Sequence, residues 1–82
     1  MITRFHIYAK TGSARSYLAK RNTFDDAEQY ARDHAAANRT RVEVDVVVTT
    51  STHRTVKPVA TVSQDSLGRV WTDLTWHSTT LV

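Results

Sequence analysis

Four histidines, His6, His34, His53 and His77, are the side chains best suited to acid-base work or metal ligation near neutral pH. They are scattered along the chain, and none stands in an HExxH pair or another ligand spacing, so no metal site is expected. His34 falls beside an apolar helical stripe, where a hydrogen-bonded packing role is expected. His6 and His77 read as surface groups. Serines and threonines are plentiful, but none occupies a GxSxG elbow, and a hydroxyl without a base beside it is a poor nucleophile. Two glycines cannot build a phosphate-cradling loop, and the absence of cysteine excludes thiolate metal sites and disulfides within the chain. The expectation is a non-enzymatic protein that needs no cofactor and no metal.

A different chemistry is suggested by Arg4, His6, Tyr8, Arg15, Tyr17 and Arg21. Aromatic rings can stack on bases while guanidinium groups hold phosphates, which makes this set a candidate nucleic-acid contact. Long side chains of these types are also ordinary occupants of an exposed sheet face. A second set, Val47, Val59 and Trp71, is a candidate protein interface, because apolar and aromatic groups left outside a core anchor partners.

These sets depend on the elements that carry them. Residues 23–38, TFDDAEQYARDHAAAN, read as the one helix: Phe24, Ala27, Tyr30, Ala31, His34 and Ala35 share a face, with Asp26, Gln29, Arg32, Asp33 and Ala36 opposite. Thr23 is its expected N-cap, with Asp25 and Asp26 against the positive end of the dipole. No Gly follows Asn38, so the stop rests on Asn38 and on the β-branched alternation from Thr40.

Alternation over residues 3–10 predicts a strand facing Phe5 and Ile7 to the core. A turn at Thr11-Gly12 would oppose Ala9 with Ala14, Ile7 with Ser16 and Phe5 with Leu18. That register puts Arg4, His6, Tyr8, Lys10, Arg15, Tyr17 and Arg21 together on the far face. Val42, Val44, Val46 and Val48 mark a third strand beneath the helix. Residues 50–54 read as a connection, and residues 55–63 as a fourth strand with Val56, Pro58, Ala60 and Val62 inward. Pro58 has no N–H to give, so it requires a gap, an edge or a bulge. Asp65-Ser66-Leu67-Gly68 closes a hairpin that opposes Gln64 with Val70 and Val62 with Thr72. Val70, Leu74 and Trp76 then face inward, and Trp71, Asp73, Thr75 and His77 outward. The fold expected is a single α+β domain over residues 1–82, ordered ββαβββ, with one helix on a largely antiparallel sheet and residues 78–82 as a frayed tail.

Size and charge bound the partners. Eighty-two residues with a net charge of +3 make a small core and a mild basic bias, which neither requires nor excludes nucleic acid. No apolar run reaches the roughly 20 residues of a membrane span, and MITRFHIY lacks signal-peptide order, so a cytoplasmic location is expected. Eight Arg against three Lys, and six Asp against two Glu, with abundant Val and Ala, carry the imprint of GC-rich coding. In size and style the whole chain resembles the short orphan proteins of actinobacterial phages, which implies a bacterial host protein as partner. NTFDDAEQYA after two short strands is also similar to the strand-strand-helix of integrase arm-binding domains, which implies DNA, although three further strands depart from that pattern. The preferred reading is a protein-interaction module that binds a host protein or itself; the alternative is a nucleic-acid-binding domain working through the first hairpin.

Overall fold

The computed structural model describes residues 1–75; the expected inward Trp76, outward His77 and frayed tail at 78–82 lie outside them. In chain order the elements are β1 (Ile2–Thr11), β2 (Ala14–Arg21), α1 (Phe24–Asn38), β3 (Arg41–Thr49), β4 (Arg54–Gln64) and β5 (Val70–Leu74). All five strands join one antiparallel sheet in the order β2-β1-β3-β4-β5, with the helix packed on one face. The expected ββαβββ fold is therefore present. α1 links β2 to β3 across β1, so the first hairpin is extended by β3 on its β1 side.

The helix begins as its sequence requires. The Thr23 hydroxyl accepts the Asp26 N–H at 3.2 Å, and Asp25 and Asp26 fill the first turn. It stops without glycine: Arg39 adopts a left-handed conformation, φ 51°, and its N–H reaches the Ala35 carbonyl at 2.9 Å. Asn38 caps a carbonyl too, donating to His34 O at 3.1 Å. Ala27, Ala31 and Ala35 are fully buried, so the helix lays its smallest side chains on the sheet. Opposite them Ile7, Val42, Val44 and Val62 are the largest fully buried side chains, each contributing roughly 1.5–3 kcal/mol of burial. Arg32, expected on the solvent face, instead reaches β5, donating to Thr72 Oγ1 and Val70 O at 3.1 Å each.

Two bulges correct the expected registers. The first turn lies at Gly12-Ser13, one residue later than expected, with positive φ at Gly12 alone of the two. Thr11 pairs with Ala14, Ala9 with Ser16 and Tyr8 with Tyr17; the ladder then slips, so Ile7 meets Ala19 and Phe5 meets Arg21. Leu18 and Ala19 both pack toward the helix, which strict alternation would forbid. In β4 the ladder slips between Val44–Ala60 and Asp45–Pro58, so Val59 and Ala60 are both buried on the helix side. Val56 and Pro58, expected inward, are consequently on the far face, and Val59 is inward. The bulge adjoins Pro58, and β5 runs beside β4 only from Ala60 to Gln64, so the proline also sits beyond that strand's end. The last hairpin has its expected register, Gln64 with Val70 and Val62 with Thr72, closed by Gly68 at φ 85°.

Candidate functional site

The sheet face opposite the helix carries no covering element among the described residues. Across its middle the pairings set Tyr17, Tyr8, Glu43, Thr61 and Asp73 in one row over all five strands. On one side of that row lie Lys10 with Arg15 and Arg41, and, farther along, Ser63 with Trp71. On the other side come Lys20, His6, Asp45 and Pro58, then Arg4, Val47 and Val56, and finally Ile2, Thr49 and Arg54.

Arg15 organises the middle. Its guanidinium lies 4.0 Å over the Tyr8 ring, Nε pairs with Glu43 Oε1 at 2.9 Å, and Nη2 donates to Asp45 Oδ2 at 3.0 Å. Lys10 adds a longer contact to Glu43, 3.8 Å. Burial works against the Arg15 charge, but the bond to Asp45 and the charges of Asp45 and Glu43 outweigh it, raising its pKa. Asp45 is only 6 % exposed, so Arg15 supplies the counter-charge that makes its burial tolerable. Tyr17, 54 % exposed, meets His6 and Tyr8 edge-on, with centroids 5.7 Å apart in each case.

His6 stands across the strand from both Lys20 and Asp45. Its pKa is lowered, first by burial and then by the charges of Arg54 and Lys20, against an opposing pull from Asp45. The other two described histidines stand elsewhere: His34 stacks on Tyr30 and meets Asn38, while His53 lies in the β3–β4 turn against Thr52. Among the described residues no three His, Asp or Glu side chains converge as a metal site would require.

Of the basic aromatic set, Arg4, His6, Tyr8, Arg15 and Tyr17 do share the open face. Arg21 does not: the bulge at Leu18 turns it to the helix side, where its guanidinium lies 4.7 Å over the Tyr30 ring. The interface set is not brought together. Val59 is 4 % exposed in the helix-side core. Val47 is on the open face but 4 % exposed, between Arg4 and Val56. Trp71 is 42 % exposed, donates Nε1–H to Asp73 Oδ2 at 3.1 Å, and sits roughly 20 Å along the strand direction from the Val47 row. The residues the sequence did not single out are Glu43 and Asp45 as partners of Arg15, and Ile2, Lys20, Arg54 and Val56 around Val47. Alternation alone puts Glu43 and Asp45 outward, but only the adjacency of β3 to β1 brings them under Arg15. Comparison with protein-family models, with curated proteins and with solved structures gives no match.

Proposed function

We propose that the protein is a non-enzymatic interaction module that docks through the sheet face opposite the helix onto another protein or a second copy of itself. The observation that carries this is a five-stranded face that no element among the described residues covers, on which Ile2, Tyr17, Val56 and Trp71 each remain about half exposed. Tyrosine, tryptophan and arginine are the types that anchor interfaces, and a core this small gains from a covered second face. Nucleic acid fits less well. The Tyr8 ring is already covered by Arg15, Arg15 is bound to two carboxylates, and Glu43, Asp45 and Asp73 carry negative charge across the strands where phosphates would lie. The resemblance to actinobacteriophage proteins makes a bacterial host protein, met in the cytoplasm, a partner consistent with this reading.

Site-specific photocross-linking tests it. Benzoyl-phenylalanine in place of Tyr17 or Trp71 should give discrete cross-linked products in cells, whereas the same probe at Gln29, on the exposed helix face, should not. Equal products from both faces, or none from the sheet face, would sink the proposal. Light scattering on the purified protein then separates a second copy from a different partner.

A further inference from the structure

The open face is not uniform: at one end Lys10 and Arg15 are held by carboxylates, on Glu43 and Asp45. Around the buried Val47, the exposed Ile2 and Val56 form a small apolar surface. Three cations stand at this end of the face, Arg4 across from Val47, Arg54 across from Thr49 and Lys20 across from His6, and none of the three pairs with a carboxylate among the described residues. Among the described residues Arg4 donates only to the carbonyl of its neighbour Thr3. The charges of Arg54 and Lys20 both lower the His6 pKa, in keeping with that placement. Asp45, across from His6, is buried and engaged by Arg15, so among the described residues no carboxylate compensates this positive charge.

Resting on the interaction reading above, we propose that this corner seats an acidic segment of a different protein, with an apolar side chain against Ile2 and Val56 and carboxylates on Arg4, Lys20 and Arg54. Charge complementarity selects the occupant. The same corner of a second copy, meeting it about a two-fold axis, would bring like charges together. A phosphate backbone would satisfy the cations but leave the apolar centre without a partner, whereas an acidic protein segment satisfies both.

The test measures anisotropy of a fluorescein-labelled peptide with a leucine pair flanked on both sides by glutamates, at low salt. Binding is expected, weakening as salt rises. Replacing the glutamates with glutamine, or combining Arg4→Glu with Arg54→Glu in the protein, should each weaken it on the order of tenfold or more. Replacing the leucines with serine should weaken it several-fold. Circular dichroism checks the fold of the charge-reversed protein, and the peptide series on the unaltered protein stands without it. No binding of the glutamate peptide, equal binding of the glutamine peptide, or tighter binding of mixed-sequence single-stranded DNA that displaces it would overturn the proposal. So would self-association that Arg4→Glu with Arg54→Glu abolishes. If the peptide fails while Tyr17 and Trp71 still cross-link selectively, this inference falls and the wider reading stands; if both fail, neither stands.

Discussion

The guanidinium of Arg15 spans three strands, rising from β2, lying on Tyr8 of β1 and ending on Glu43 and Asp45 of β3. Arg15→Ala should therefore destabilise more than an exposed ion pair would suggest, because it leaves the Asp45 carboxylate buried without its donor. About 1–3 kcal/mol is expected by urea denaturation, toward the lower end because the Arg15 side chain is itself 38 % exposed. Adding Asp45→Asn should recover part of that loss; strictly additive losses would count against the coupling. His6 carries a pH signature. With its pKa lowered in the folded protein, the unfolded chain binds the extra proton first, so this group erodes stability as pH falls below about 6.5. The erosion ends once the folded His6 is protonated too. In His6→Gln the fall in stability over that window should be smaller. By NMR the His6 ring should titrate below its ordinary value and move upward in Arg54→Ala. At this scale the sequence showed which side chains share a face wherever alternation is unbroken, as with Arg4, His6 and Tyr8. It hid Arg21 and Val59, because each lies at or beyond a bulge that changes the phase of its strand.

The elements themselves were legible from local chemistry. Thr23 with Asp25 and Asp26 announced the helix start, Gly68 the last turn, and Pro58 a break in its ladder. The bulges were not legible, since nothing in Tyr17-Leu18-Ala19 or Pro58-Val59-Ala60 says that two adjacent apolar residues will both face the helix. Burial on one side decided it, at the expense of alternation. The helix stop was ambiguous for a related reason: its left-handed cap is Arg39, a residue type that does not advertise that conformation. Arg39→Gly should therefore relieve backbone strain and raise stability by roughly 0.5–1 kcal/mol, after glycine's greater freedom in the unfolded chain is discounted. A thermal midpoint that falls instead would mean the Arg39 side chain contributes more than its backbone conformation costs.

Strand order belongs to the whole molecule, and the sequence did not reveal it. Hairpin partners are neighbours in the chain and can be read from turns, but the placement of β3 beside β1 is made by the helix crossing between them. The exposed corner around Val47 follows from that placement, as does the reach of Arg15 to Asp45. β3 is paired along nearly its whole length on both sides, with β1 from Arg41 to Thr49 and with β4 from Val42 to Thr49, while β5 is held for five residues on β4. Opening the sheet can thus begin at either edge strand, β5 or β2, without disturbing the centre, but no β3 amide is released until a neighbouring strand leaves. In native-state hydrogen exchange the β3 amides should be the slowest, at the free energy of global unfolding, and those of β5 markedly faster. A partner seated on the open face at Arg4, Val47 and Val56 would then slow exchange least in the strand that already exchanges slowest. Its footprint should be read from β1 and β4 instead.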